Sequence, residues 1–123
     1  MDKEIEISIK KELRKVFPWG HPEFYNLIWK MMEIHSIKNK SYGLGSPLGN
    51  FMMSKTFGVS PWKGCLVRMS DKWSRLCNLV LKMDDPNYAD AINMEGIEDT
   101  LVDLANYSLL CIILLREEKE NKS

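Results

Sequence analysis

Residues 95–115, EGIEDTLVDLANYSLLCIILL, decide the fold of this chain. Over residues 101–115 every position is apolar or alanine except four, which are Asp103, Asn106, Tyr107 and Ser108. A helix that is apolar almost all round belongs inside a protein, because any side turned to water would expose apolar groups. We therefore predict a central helix, buried on most sides, from about Met94 to about Glu118, where it frays into a solvated tail over residues 116–123.

Four oxygen-bearing side chains line one narrow face of this helix. They follow one another at steps of four, four and three residues, and they are Glu95, Asp99, Asp103 and Asn106. Carboxylates one helical turn apart repel each other, and the charge of Asp103 loses hydration among its apolar neighbours. Another interaction must compensate for this repulsion and this loss of hydration. A bound Mg²⁺, which prefers oxygen ligands, would do so, and so would a facing cluster of lysine and arginine.

A second charged group lies on the preceding helix, which we predict from about Trp62 to about Met83. Its polar side carries Arg68, Asp71, Lys72 and Arg75. These side chains could form an inter-helix salt-bridge network with the acidic stripe, or Asp71 could join the stripe in a magnesium site. Ion-pair networks and catalytic clusters look alike in a sequence, so both interpretations stay open on the residues alone.

The rest of the chain also favours helices. Apolar residues at steps of three and four predict a helix over residues 22–40, while residues 2–16 fit either a short amphipathic helix or a strand. Residues 41–61 are rich in glycine and proline and predict a long loop. We expect an all-α bundle of four to five helices in one domain over residues 1–123, with residues 1–21 peripheral.

Composition excludes some classes of function. Lysine plus arginine and aspartate plus glutamate number 17 each, so the chain lacks the basic excess of a bulk nucleic-acid binder. The longest apolar run, residues 109–115, is too short to cross a bilayer, and the charged N-terminus is unlike a signal peptide. We therefore expect no membrane partner and a cytoplasmic location.

Two further expectations concern cysteines and assembly. The three cysteines form no CxxC pair, so Cys65, Cys77 and Cys111 are expected to be buried thiols, with metal ligation a minor alternative. A four-helix chain with this many methionines and tryptophans predicts a further buried face in a homodimer or higher homo-oligomer.

Three segments together carry a family resemblance: KNKSYG at 38–43, RMSDKWSRLCNL at 68–79 and EGIEDTLVDLANYSLL at 95–110. They resemble the nucleotide-modification-associated domain, type one, over residues 22–115, with EDTLxDLANY as the most specific part. That largely phage-borne family is thought to be related to the MazG-like all-α nucleoside triphosphate pyrophosphohydrolases. The resemblance implies a MazG-like fold, a phage origin and a bacterial cytoplasm as the location.

In MazG-like enzymes an ExxE motif on one helix and an ExxD motif on a later helix hold magnesium, which binds the triphosphate and positions water. Here Asp99 matches the aspartate of ExxD, whereas Gly96 takes the glutamate position, with Glu95 beside it. The ExxE positions best match Lys72 and Arg75. Two metal-binding glutamates are thus replaced by two cations, which suit direct contact with phosphate.

The resemblance implies a nucleotide ligand and a Mg²⁺-dependent (deoxy)nucleoside triphosphate pyrophosphohydrolase acting in nucleotide metabolism or base modification. The alternative is a non-catalytic nucleotide-binding or interaction protein on a degenerate MazG-like site. Each candidate residue then has a predicted role. Metal ligation is predicted for Asp71, Glu95, Asp99 and Asp103, catalysis for Asp71, Lys72 and Arg75, and nucleotide binding for Lys38, Tyr42, Arg68, Lys72, Arg75 and Asn106.

Two of these assignments have plain structural alternatives. Lys38 reaches a phosphate in the functional interpretation, but it equally fits a solvated last turn of a helix, where cations are favourable. Tyr42 and the glycines at 43, 45 and 49 could close the long loop over a base or phosphate, or belong to a crossover without a ligand role.

Overall fold

The computed structural model describes residues 2–42, 48–87 and 90–122, and the regular secondary structure in these ranges is helical. Four α-helices and one 3-10 helix follow in the order α1 (Lys3–Val16), α2 (Pro22–Tyr42), the 3-10 helix (Gly49–Phe57), α3 (Pro61–Lys82) and α4 (Asp90–Lys122). No strand occurs in the described ranges. The all-α class is therefore confirmed. None of the described helices is both long enough and apolar enough to span a membrane.

Local chemistry explains where these helices begin. The Asp2 carboxylate accepts a hydrogen bond from the Glu4 amide at 2.8 Å and so caps α1, which settles the N-terminal segment as a helix. Pro61 is the first residue of α3, where a backbone amide has no hydrogen-bond partner within the helix, so the missing amide proton of proline costs nothing. The predicted bounds of α2 and α3 hold to within about two residues.

The chain divides into two compact units, Met1–Ile37 and Lys38–Ser123. In the first unit α1 buries no residue, while α2 buries Tyr25 and Trp29. The Tyr25 hydroxyl donates to the carbonyl of Phe17, and the Lys10 ammonium lies 5.7 Å from the centre of the Trp29 ring. A single domain over the whole chain, with a peripheral N-terminal segment, stays a prediction.

The second unit has its core where α3 packs against α4 and the 3-10 helix. Its buried centre consists of Leu48, Phe51, Cys65 and Leu114. The two long helices run antiparallel, because the start of α3 meets the end of α4 and the end of α3 meets the start of α4. The Trp62 indole N–H donates to Glu118 at 2.6 Å at one end, while Gly96 packs against Leu79 at the other.

The segment between α2 and α3 differs from its prediction as a long loop. Within it, residues 49–57 form the 3-10 helix, and Phe51 of that helix enters the core beside Tyr107 with ring centres 6.2 Å apart. Leu48 and Gly58 bound the helix in the left-handed backbone region, at φ 61° and 75°. Glycines 43 and 45, expected to close the loop over a ligand, lie outside the described residues.

The prediction that α4 is buried on most sides was wrong. Leu101, Leu109 and Ile112 are 49%, 54% and 46% exposed, so one side of the helix packs against α3 and another is open. The helix also begins earlier than predicted, at Asp90, and continues through the predicted tail to Lys122. The bond from Trp62 to Glu118 holds this last part against α3.

Candidate functional site

One carboxylate, Asp103 of α4, lies between two lysines that come from two other helices. The Lys72 ammonium of α3 is 3.0 Å from one Asp103 carboxylate oxygen, and the Lys38 ammonium of α2 is 3.3 Å from the other. We call Lys38, Lys72 and Asp103 the lysine clasp. It joins three helices through a single carboxylate, and all three residues lie in the second unit.

The antiparallel packing of α3 and α4 positions the clasp. Lys72 sits one helical turn before the buried Leu76 on α3, and Asp103 sits one turn after the buried Thr100 on α4, so both lie beside the seam where the two helices meet. Exposure of the side chains rises from Asp103 at 19% through Lys72 at 30% to Lys38 at 51%. An anion approaching from solvent would therefore meet the lysines before it met the carboxylate.

The clasp keeps Asp103 ionised. Burial acts to raise the pKa of this carboxyl, but the hydrogen bond from Lys72 and the positive charge of Lys38 outweigh burial. The net result is a pKa below the ordinary value of 3.8. Asp103 is thus an anion over the whole physiological range, as either an ion-pair partner or a metal ligand must be.

The other cations of α3 differ in how firmly they are held. The Arg68 guanidinium lies 4.4 Å from the centre of the Phe51 ring, in cation–π contact, and is half-buried. Arg75 and the neighbouring carboxylate Asp71 are exposed. The polar side of α3 therefore offers one arginine in contact with an aromatic ring, one lysine paired with Asp103 and one exposed arginine.

The remaining predicted ligands do not form one compact group. Glu95 and Asp99 are exposed, and Asn106 is half-buried. Across the described part of the chain, no three histidine, cysteine, aspartate or glutamate side chains come close enough together to hold a metal ion. The structure thus brings Lys38, Lys72 and Asp103 together, while their functional roles stay predictions. The side chain of Tyr42 lies outside the described residues.

Gly96, at the position of the missing ExxD glutamate, faces α3. A β-carbon added to it would lie 3.3 Å from a methyl group of Leu79, which is closer than ordinary packing. One turn later Thr100 is buried, and its hydroxyl donates to the Gly96 carbonyl at 2.7 Å. This position therefore serves the helix interface and not an open ligand site.

Two features of the site were not found from the sequence. Phe51, which supports Arg68, lies in the segment predicted as a loop. The pairing of Lys38 with Asp103 joins residues 65 positions apart. No local signal marks such a pair, although an unmatched carboxylate in an apolar helix already indicated that a cation had to come from elsewhere.

Comparison with known proteins identified no relative of this chain. No family model matches the chain, and neither the curated proteins nor the solved structures contain a significant match.

Proposed function

We propose that this protein binds a nucleotide at the lysine clasp, with a (deoxy)nucleoside triphosphate as its ligand. The observation that carries the proposal is the convergence of Lys38 and Lys72 on one half-buried carboxylate, with Arg75 exposed one turn beyond Lys72 on α3. Several cations on one surface suit the multiple negative charges of a polyphosphate. The resemblance to the nucleotide-modification-associated domain supports the same ligand class.

In this proposal the phosphates compete with Asp103 for the lysines. Lys38, half-exposed on its long flexible stem, turns from the carboxylate to a phosphate oxygen at little cost, because exposed ion pairs contribute only about 0.2–1 kcal/mol. Arg75 and Arg68 add contacts from the same side of α3. The clasp then acts as a preformed cation pair that Asp103 holds in place until the nucleotide arrives.

Magnesium fits this site as a partner of the nucleotide. Asp99 and Asp103, one turn apart on α4, supply hard oxygen donors, whereas the absence of a three-residue cluster in the described ranges disfavours an all-protein cage. Magnesium commonly uses one or two carboxylates together with phosphate oxygens and water. When bound, it would neutralise charge that develops on the phosphates. Glu95 and Asp71, the other predicted ligands, are exposed and would add negative charge near the ion.

The reaction proposed is hydrolysis to a monophosphate and pyrophosphate. Water attacks the α-phosphorus, the bond to the bridging oxygen of the β-phosphate breaks, and pyrophosphate leaves while the water proton passes to a carboxylate such as Asp71. Lys72 and Arg75 hold phosphate oxygens on which charge accumulates during the attack.

Pyrophosphate release tests this activity. Each common ribo- and deoxyribonucleoside triphosphate is incubated with the protein and Mg²⁺, and release is compared among the wild type, Lys72→Ala and Asp99→Ala. Both variants should lose at least tenfold in rate, since each removes a charged contact to the reacting group. Lys55→Ala, which removes an exposed lysine of the 3-10 helix, is the matched control and should keep the wild-type rate.

A second candidate is a non-catalytic nucleotide binder, or an interaction protein in base modification. It is favoured by the lysine and arginine at the positions where MazG-like enzymes carry ExxE glutamates. Calorimetry separates the candidates. Binding that needs no magnesium and gives no turnover assigns a binder, and a stable complex with another protein, with no nucleotide bound, assigns an interaction partner.

The wider setting belongs to the same proposal. We expect a cytoplasmic protein of phage origin with a MazG-like fold, acting in nucleotide metabolism or base modification. We also expect a homodimer or higher homo-oligomer, and no bulk nucleic acid or membrane as partner.

A further inference from the structure

Two of the three cysteines meet across the seam of α3 and α4, which form an antiparallel hairpin. The Cys65 thiol donates to the carbonyl of Tyr107 at 3.5 Å. In return, the Cys111 thiol donates to the carbonyl of Trp62 at 3.7 Å. An α-helical carbonyl accepts from the amide four residues later, which for Tyr107 is the amide of Cys111. The Cys65 sulfur therefore lies beside the backbone of Cys111.

The two thiols also contact each other. Burial raises the pKa of Cys65 to about 11, and the charge of Cys111 and a hydrogen bond with its thiol contribute to that rise. Cys65 belongs to the buried centre of the second unit, and Cys111 packs against that centre. Because interior side chains are closely packed, both sulfurs are held in this position and do not meet only when the chain fluctuates.

The two thiols differ in their access to solvent. Cys65 is 0% exposed, whereas Cys111 is half-buried. The raised pKa keeps Cys65 protonated at neutral pH, and the thiolate is the form that attacks an oxidant. A small oxidant from solvent therefore reacts with Cys111 first, and Cys65 lies directly behind it.

We propose that Cys65 and Cys111 form a reversible disulfide when the protein meets hydrogen peroxide. The Cys111 thiolate attacks one peroxide oxygen, the O–O bond breaks, and the leaving hydroxide takes up a proton to give water. Cys111 is then a sulfenic acid. The Cys65 sulfur attacks the Cys111 sulfur, the S–O bond breaks, and hydroxide leaves with the Cys65 proton as a second water molecule. The two thiols together lose two electrons, which reduce one peroxide.

The position of this bond gives it a structural effect. It links the start of α3 to the end of α4 and closes the long loop between residues 65 and 111, so it restricts the unfolded chain. At a rise of 1.5 Å per residue, Cys77 lies about 18 Å further along α3 than Cys65, too far to replace it. The disulfide does not rest on nucleotide binding.

Peptide mapping identifies the linked pair. Folded protein is treated with hydrogen peroxide, the remaining thiols are blocked with iodoacetamide, and a tryptic digest is analysed without reduction. Trypsin cleaves after lysine and arginine, which puts Cys65, Cys77 and Cys111 on separate peptides, residues 64–68, 76–82 and 83–116. We expect a link between the first and the third peptide that dithiothreitol removes, with Cys77 outside it.

Three variants test the order of the steps. Cys77→Ser is the matched control and should form the link to within about twofold of the wild-type yield. Cys65→Ala should stop at the sulfenic acid of Cys111, which dimedone traps, whereas Cys111→Ala should leave Cys65 unreacted. Oxidation should raise the melting temperature of the wild type and of Cys77→Ser by at least about 5 °C, and that of neither alanine variant.

Three outcomes overturn the proposal. The first is a sulfenic acid that accumulates on wild-type Cys111 without a link to Cys65. The second is a link that contains Cys77 in the folded protein. The third is an equal yield of the link between Cys65 and Cys111 in urea, where the fold no longer brings them together. Circular dichroism verifies the folding of each variant, and the wild type and Cys77→Ser decide the outcome if an alanine variant fails to fold.

Discussion

At the residue scale, Asp103 carries both the stability of the clasp and the proposed chemistry. Asp103→Asn keeps the size of the side chain but removes its charge, which leaves Lys72 and Lys38 without their ionic partner. We expect the free energy of unfolding to fall by about 1 kcal/mol at pH 7. Glu12→Gln removes the charge that pairs with the exposed Lys15 and is the control. It should change the free energy of unfolding by less than about 0.5 kcal/mol.

The pH dependence of this loss follows from the lowered pKa of Asp103. The stabilisation that Asp103 provides is fully present above the ordinary pKa of 3.8. It is lost as the pH falls through the lower pKa of the folded protein, because the carboxyl group is then protonated in the folded and the unfolded protein alike. The difference between wild type and Asp103→Asn, measured by urea unfolding, should therefore shrink towards zero in strong acid. A difference that stays constant from pH 7 to pH 2 would show that charge is not its cause.

The cysteines give a second prediction at this scale, and they correct the expectation that all three are buried. Cys65 is fully buried, Cys111 is half-buried and Cys77 is exposed. Burial, together with the neighbouring Cys111 thiol, raises the pKa of Cys65 to about 11. Because the thiolate is the nucleophile, alkylation at pH 8 should be at least about 100-fold slower at Cys65 than at Cys77.

Mass-spectrometric mapping after timed iodoacetamide treatment measures these rates at each site. In urea the difference between Cys65 and Cys77 should disappear, because unfolding removes burial. Equal rates in the folded protein would contradict the packing of Cys65 between α3 and α4.

At the element scale, Gly96 sets how closely α3 and α4 approach. Gly96→Glu would restore the ExxD pattern but put a carboxylate against Leu79, so it should lower the free energy of unfolding by about 2 kcal/mol. Gly96→Ala is the matched control. Its added methyl group is tight against a flexible leucine, while the gain in helix propensity is about 1 kcal/mol, so the net change should be small.

The Gly96→Glu variant also tests whether a carboxylate at position 96 could bind a metal ion. Denaturant unfolding with and without Mg²⁺ should show no more stabilisation of Gly96→Glu by the metal than of the wild type. Stronger stabilisation of the variant would mean that position 96 faces the ligand site after all.

The helices themselves were predictable, whereas the contacts between them were less so. The periodic apolar residues of α2 and α3 gave bounds close to those observed. Residues 49–57 were missed because their helix depends on Phe51 reaching a core built from distant residues. The exposure of Leu101 and Leu109 was missed because apolar periodicity does not show which side of an almost wholly apolar helix another element covers.

At the scale of the whole molecule, the α3–α4 hairpin holds Lys72 and Asp103 beside the seam of its two helices, while exposed apolar residues occur on several other faces of both helices. The sequence reasoning was therefore right in part: Asp103 of the acidic stripe pairs with Lys72, as one interpretation required, while the apolar residues of α4 did not define a buried centre. A helix can be both almost wholly apolar and half-exposed, because more than half of the surface of a folded protein is contributed by apolar atoms.

The position of the lysine clasp predicts which substitutions affect ligand binding. Thermal unfolding with a saturating nucleoside triphosphate and Mg²⁺ should raise the melting temperature of the wild type, and a ligand at 100 times its dissociation constant adds about 2.7 kcal/mol. Lys72→Ala should lose most of this shift. Glu98→Arg, a charge change at an exposed residue on the side of α4 that faces away from α3, is the control and should keep the shift.

Because Glu98 lies away from the clasp, the double variant that carries Lys72→Ala and Glu98→Arg should show only the loss caused by Lys72→Ala. Each melt is compared with a melt of the same variant without ligand, so that any change in the stability of the variant itself is subtracted. Loss of the nucleotide shift in Glu98→Arg alone would mean that nucleotide binding depends on charges far from Lys72. That result would contradict a binding site at the lysine clasp.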